Sequence, residues 1–293
     1  LQLAIVYFYA GLAKLNYDWI VNAMPLRIWL PSKSNIPLIG GLLQERWLAY
    51  FFSWFGASYD LLIPFLLFIR RTRPVAYFLV IVFHLATYFL FQIGMFPFIM
   101  IGATLIFFSE GFHLSLINWV KQRLNSPTKN KHITWEPKLS PKWSLSVLSL
   151  FFLIQLSIPF RSTLYPGNLY WTEQGYRFSW RVMLMEKAGY AIFHVTNPEN
   201  GRNWEVNNYD FLTPNQEKMM STQPDMILQF ALLLEQHYRQ KGIQNPKITA
   251  EVYVTLNGKQ SQLFIDPTVD LTQIKDSFAA KKWILPFDSS RNE

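Results

Sequence analysis

Residues 47–69 read WLAYFFSWFGASYDLLIPFLLFI, then come Arg70, Arg71, Thr72 and Arg73, then residues 74–92, PVAYFLVIVFHLATYFLFQ. The first run holds one charged residue, Asp60, and the second holds none. About 20 apolar residues at ~1.5 Å rise each cross the hydrocarbon core of a bilayer. The stretch therefore predicts two membrane helices joined by a tight basic turn. Outward from it the pattern repeats. Leu1 to Ala13 carries no charge, Pro74 to Ser109 carries none and breaks at Gln92, Ile93 and Gly94, and Trp143 to Phe160 carries none. Helices are expected over 1–20, 47–69, 74–92, 95–110 and 143–160. The chain begins at Leu1 inside an apolar run, with no Met and no basic leader. That reads as an N-terminally truncated fragment whose upstream helices are missing, and not as a signal peptide.

Composition agrees with a membrane part joined to a soluble part. The 293 residues are 51% hydrophobic, 17% aromatic and 16% charged, against roughly 25% charged in soluble domains. Disorder, collagen and coiled coil are excluded. Mean hydropathy is only +0.10, too low for a chain wholly in lipid. Cysteine is absent, which excludes a disulfide scaffold, thiol catalysis and Cys-ligated metal sites within this sequence.

Charge divides the chain. Residues 1–160 hold 13 Lys and Arg against 5 Asp and Glu, whereas residues 161–293 hold 14 of each. The whole excess of +8 sits in the apolar half, where cations between apolar runs act as topology signals and not as a nucleic-acid footprint. Arg70, Arg71 and Arg73 form one basic loop. Lys121, Arg123, Lys129, Lys131, Lys138 and Lys142 form another, within 111–142. If the helices alternate, both loops lie on one side, which the positive-inside rule makes cytoplasmic. Loop 21–46 and everything after Phe160 are then extracytoplasmic. The expected fold is a membrane α-helical bundle over 1–160, followed by an extracytoplasmic α+β domain over 161–293. In the second half Val182–Val195 and Lys247–Ile265 read as strands, Asn257-Gly258 as a hairpin turn and Met226–Gln240 as an amphipathic helix.

Ionisable groups inside lipid are costly and mark functional positions. Three stand out: Lys14, Asp60 and His84. Counted along their helices, Asp60 and His84 lie at similar depth, about 14–15 Å from the inner ends, and are expected to face each other. His84 shares a helical face with Thr87, Tyr88 and Gln92, Asp60 with Ser53, Gly56 and Ala57, and Lys14 with Tyr7 and Gly11. Plainer readings stand beside these. Lys14 snorkels or pairs with Asp18 at i+4, and Asp60 with His84 is a structural helix–helix pair. His113, His132, His194 and His237 read as surface or packing residues. No spacing resembles a metal site, a phosphate loop or a nucleophile elbow.

The segment Phe8-Tyr-Ala-Gly-Leu-Ala-Lys14-Leu-Asn-Tyr-Asp-Trp19 resembles the Ala-Gly-x-x-Lys-Leu-x-x-Asp-Trp segment of vitamin K-dependent γ-glutamyl carboxylases, a family of HTTM-domain membrane proteins. Phe83-His84 and Gln92-Ile-Gly-Met-Phe96 are similar to their Phe-His and Ser-Ile-Gly-Met-Phe helix pair, with Asp60 at the matching spacing. Gly175-Tyr-Arg-Phe-Ser-Trp180, Tyr253–Asn257, Ile265–Asp270 and Trp283–Pro286 resemble further family elements in the same order. Two departures stand out. Arg181 follows Trp180 where the animal enzymes carry an acid, and those enzymes continue well past the position of Glu293.

The resemblance implies a short, bacterial-type integral membrane enzyme, in the inner membrane, of the carbon–carbon lyase class. Its cofactor would be reduced vitamin K hydroquinone or menaquinol, with O2 and CO2 as co-substrates and no metal. Its partners would be the lipid bilayer and a glutamate-containing protein or peptide, and not nucleic acid. Oxygenation of the quinol to its epoxide would drive removal of a γ-proton from glutamate, and CO2 would add. The resemblance makes Lys14 the base that deprotonates the quinol, with His84 orienting it and Asp60 beside them; Tyr176 and Trp180 match the segment linked to the glutamate substrate. A water-poor site would protect the strong base and the carbanion. The alternatives are a quinol epoxidase-type relative that carboxylates no glutamate, and a non-catalytic membrane scaffold.

Overall fold

The computed structural model describes residues 1–91, 93–124 and 141–290. Gln92, Lys129, Lys131, His132 and Lys138 lie outside the described residues. In chain order the helices are α1 (Gln2–Lys14), the single turns α2 (Tyr17–Ile20) and α3 (Leu26–Trp29), α4 (Arg46–Phe68), α5 (Arg73–Leu90), α6 (Phe96–Thr104), α7 (Glu110–Arg123), α8 (Pro141–Ser157), the turn α9 (Leu169–Thr172), α10 (Pro214–Met220) and α11 (Pro224–Gln240). The strands are β1 (Lys187–Thr196), β2 (Asn203–Val206), β3 (Lys247–Leu256) and β4 (Gln262–Leu263). Two compact units form. One joins Leu1–Leu15 to Trp29–Ser157, and the other joins Asn16–Ile28 to Ile158–Glu293.

The first unit is helical. The segments Arg46–Phe68, Arg73–Leu90 and Lys142–Leu164 are long and apolar enough to cross a membrane. Their outward residues are large and apolar, including Phe51, Trp54, Phe65, Phe78, Phe89 and Leu153, while the buried set contains Lys14, Ser53, Asp60, His84 and Thr104. A soluble domain normally buries the first kind and exposes the second. The inversion suits helices whose outer face meets lipid. Between them lies a small core of Tyr7, Tyr59, Ile63, Leu67, Ala76, Val80 and Met100.

Three expectations change here. The helix expected over 1–20 ends at Lys14, because Asn16 starts a new turn: its side chain accepts from the Trp19 backbone N–H at 3.0 Å, the N-cap role in which Asn competes with helix continuation. The loop expected over 111–142 begins with α7. Glu110 in its first turn and Lys121 and Arg123 in its last complement the helix dipole. The apolar stretch expected over 95–110 gives only Phe96–Phe107, about 18 Å of helix.

The second unit is an antiparallel sheet with strand order β2-β1-β3-β4. Its centre is the long β1–β3 pair, with Phe193 opposite Ala250 and Val195 opposite Ile248. Alternate residues point inward, as a half-buried strand requires: Ile248, Ala250, Val252, Val254 and Leu256 are fully buried on β3. α11 lays Ile227, Phe230, Ala231 and Leu234 inward, with the Phe230 and Phe193 rings 4.9 Å apart. The strand expected over 182–195 starts only at Lys187, because Met183 takes φ 53, outside strand geometry. The run 247–265 divides at Asn257 (φ 51) and Gly258 (φ 74), the paired positive φ of a tight hairpin turn. β2 and α10 have no counterpart in the sequence reading; α10 is announced by a capping box between Thr213 and Gln216.

Inside this unit Lys187 is buried and fully engaged. Its Nζ donates to Glu173 at 2.7 Å, to the Trp171 carbonyl at 2.8 Å and to the Thr222 carbonyl at 3.4 Å. Burial pulls its amine below the usual lysine range, and Glu173 opposes that pull. With every donor occupied, the pair reads as a structural tie across the sheet edge.

Candidate functional site

Tyr7, Gly11 and Lys14 fall at i, i+4 and i+7 on α1 and share one face. That face meets Ser53, Gly56, Ala57 and Asp60 on α4, all buried. Small residues allow two helix backbones to close up in lipid. The approach is tight: a Cβ on Gly11 would lie 2.7 Å from the Leu61 backbone nitrogen. There Lys14 Nζ reaches Asp60 Oδ2 at 2.6 Å. The residues are 8% and 5% exposed. A second contact runs from Lys14 Nζ to the Ala10 carbonyl at 3.3 Å. A pair held this way is coupled: removing one member strands the other without water, at a cost of about 3–5 kcal/mol.

Two turns back along α1, Tyr7 holds the second half of the constellation. Its hydroxyl lies 3.1 Å from His84 Nε2 and 3.3 Å from Thr104 Oγ1. Thr104 in turn donates to the Met100 carbonyl at 2.7 Å. Aromatic rings surround these groups. Tyr59 stacks on Phe83 with centroids 4.0 Å apart, and Phe83 and Phe96 lie edge-on to His84 at 5.4 and 6.3 Å. His84 Nδ1 is buried and has no hydrogen-bond partner among the described residues.

This arrangement corrects one expectation. Residue counts predict that Asp60 meets His84, but the Asp60 carboxylate takes Lys14 and the His84 ring takes Tyr7. Depth along two helices is readable from residue counts, whereas the third helix between the partners is not. Asp18 also has other partners than Lys14: it accepts from Asn22 and, at 2.9 Å, from Asn257. Tyr7 entered the sequence reading only as a face-mate of Lys14, and Thr104 did not enter it. Their signal was the one usable for the other three, a polar group inside an apolar run.

Tyr176 and Trp180 sit in the second unit, on the irregular segment between α9 and β1. Gly175 makes this segment possible. Its φ is 76, and a Cβ there would lie 2.6 Å from the Ser162 Cα, so both its conformation and its close approach demand glycine. The Ser179 hydroxyl donates to the Tyr176 carbonyl, and the Tyr170 and Tyr176 rings meet edge-on at 6.3 Å. Burial raises the Tyr176 phenol above its usual range, helped by Tyr170 and Glu173 and opposed by Arg181. The phenol is therefore protonated at any physiological pH. Phe178, Trp180 and Met183 take φ of 59, 56 and 53. Left-handed backbone costs a bulky side chain about 1–2 kcal/mol, and such strain concentrates at binding sites. Phe178 is 79% exposed, so its strain is not offset by burial.

Two family profiles match the chain. The HTTM domain matches residues 1–112, and the lumenal domain of vitamin K-dependent gamma-carboxylase matches residues 140–290. No solved structure matches.

Proposed function

The chain belongs to the vitamin K-dependent gamma-carboxylase family, and on that premise we propose that it is a membrane enzyme that oxidises reduced vitamin K or menaquinol and couples this to carboxylation of a protein or peptide glutamate. The single observation that carries the reading is the polar constellation on one face of α1: the Lys14–Asp60 pair and the Tyr7–His84 pair, enclosed by aromatic rings. A flat hydroquinone bears its two hydroxyls at opposite ends. It suits two polar partners set apart in apolar surroundings, Lys14 at one end and, at the other, His84, which is bonded to Tyr7 two helical turns before Lys14. The orphaned Nδ1 of His84 fits a hydroxyl donor. When bound, the quinol supplies, by reaction with O2, the base strong enough to take a γ-proton from glutamate.

The chain's own groups do the rest. Proton transfer from Lys14 to Asp60 along their 2.6 Å hydrogen bond leaves a neutral amine, the form that can take a hydroxyl proton. The buried small residues of α4 and the surrounding rings keep water out. The Gly175–Met183 segment, with Tyr176 and Trp180, is the proposed glutamate-binding element. Arg181 favours one second reading. It occupies the place of a family acid and donates to Ser162 Oγ at 3.4 Å, so quinol epoxidation without glutamate carboxylation is the alternative outcome.

The test is product analysis with reduced vitamin K, O2 and labelled bicarbonate. Epoxide together with label fixed in a glutamate peptide is expected. Epoxide without fixed label selects the second reading, and neither product ends both. Membrane placement is tested separately. The first unit is proposed to lie in the inner membrane with Arg70–Arg73 cytoplasmic and the second unit outside. Reporter fusions after Arg73 and after Arg202 are expected in opposite compartments, and a common compartment overturns this topology.

A further inference from the structure

The hydrogen-bond chain that ends on His84 determines which ring nitrogen carries the proton. Thr104 Oγ1 lies 2.7 Å from the Met100 carbonyl oxygen. A carbonyl only accepts, and a hydroxyl has one proton, so Thr104 spends its proton there. The contact between Tyr7 and Thr104 at 3.3 Å is then a hydrogen bond only if Tyr7 donates. Tyr7 has no second proton, so its oxygen is the acceptor in the 3.1 Å contact with His84 Nε2. Nε2 therefore bears the hydrogen. A neutral imidazole has one N–H, so Nδ1 is a bare lone pair. The residue is 3% exposed, and Nδ1 has no partner among the described residues. Any other assignment sets two lone pairs against each other. A doubly protonated ring would strand a buried N–H without an acceptor.

We propose that Tyr7 and Thr104 are positioning residues that lock His84 in its Nε2–H form and thereby hold Nδ1 as an acceptor for a hydroxyl-bearing ring. The lock stands on the geometry alone. The identity of the donor, a quinol hydroxyl, rests on the function proposed above. Neither Tyr7 nor Thr104 need touch the quinol. Each acts through the imidazole, by fixing both its tautomer and its orientation.

The test is nitrogen NMR of the protein in lipid nanodiscs, with 15N-labelled histidine and no quinol present. The chain has five histidines, and the spectrum of His84→Gln identifies the His84 signals by difference. In the wild type, Nδ1 is expected to resonate as an unprotonated nitrogen and Nε2 as an N–H. Thr104→Val removes the acceptor of the Tyr7 proton. Tyr7 is then expected to turn its hydroxyl toward Nε2 in part of the molecules, so that both ring nitrogens take intermediate character, a mixture because the Nδ1–H form strands a buried donor as well. Thr104→Ser is expected to restore the wild-type pattern. Epoxide formation should fall by at least about tenfold in Thr104→Val and return in Thr104→Ser. Tyr7→Phe, which leaves Nε2 without its acceptor, is expected to give a mixture of tautomers. A wild-type ring protonated at Nδ1 or at both nitrogens overturns the lock. So does an unchanged spectrum in a folded Thr104→Val protein. A lock that behaves as stated in a protein that never forms epoxide overturns the quinol donor and leaves the tautomer assignment standing.

Discussion

Lys14→Ala is expected to abolish epoxide formation, by at least about a thousandfold, and Lys14→Arg is expected to abolish it equally. The two variants fail for different reasons, and the comparison separates a base from an anchor. Alanine removes the amine. Arginine keeps a cation next to Asp60 but cannot give up its proton. The structure adds a condition to the experiment. Lys14 is bonded to the buried carboxylate of Asp60, so Lys14→Ala leaves that carboxylate stranded and costs about 3–5 kcal/mol of stability. Loss of activity in this variant alone is therefore ambiguous. Replacing both members by apolar residues, Lys14→Met with Asp60→Leu, removes the stranded charge and is expected to recover most of the stability with no recovery of epoxide. Thermal unfolding and product chromatography on the four proteins give both numbers. A well-inserted Lys14→Arg protein with full activity would end the assignment of Lys14 as the base.

Gly11→Leu is expected to produce the second large loss, and it does so without touching an ionisable group. A Cβ at Gly11 meets Leu61 N at 2.7 Å, Leu61 Cγ at 2.8 Å and the Asp60 carbonyl carbon at 3.0 Å. Two of these are backbone atoms and cannot turn aside. The side chain must push α1 away from α4 at the level of Asp60, which breaks a 2.6 Å contact one turn later. Even Gly11→Ala is expected to destabilise by about 1–3 kcal/mol from overpacking, although alanine is the better helix former by about 1 kcal/mol. Epoxide formation is expected to fall by about a hundredfold, since a displacement of 1 Å at a reacting group costs that much. Gly102 on α6 is the control. A Cβ there meets nothing within 4 Å, so Gly102→Ala keeps its propensity gain and full activity. Equal stability and activity of the two alanine variants would show that the close approach at Gly11 does not position Lys14.

The spacing Gly11-x-x-Lys14 thus has a physical reading that the sequence carried only as a pattern. Glycine one turn before the lysine lets two backbones touch, and the touch brings an amine and a carboxylate within hydrogen-bond distance across 46 positions of chain. Asp60 and His84 show the opposite case. Counting residues places them at one depth, and both lie in the same helical unit. Their partners depended on how α1 rotates between α4 and α5, and rotation is set by packing.

Helices long and apolar enough to cross a membrane, followed by a strand-bearing half, are legible in the residues alone. Uncharged runs long enough for lipid, basic turns between them, and an even charge balance after Phe160 are each local properties, and local properties survive in a linear reading. The sequence also singles out three ionisable residues that the fold buries, since a lysine, an aspartate and a histidine are conspicuous among apolar neighbours. Tertiary structure alone decided who bonds to whom. Asn16–Ile28 joins the second unit although it lies between two segments of the first, because Asn16 and Asp18 find their partners in Tyr170 and Asn257. Tyr7 and Thr104 became part of the site because three helices converge on His84. Hydrogen bonds reach about 3 Å, and only the folded chain brings residues so far apart in sequence within that reach.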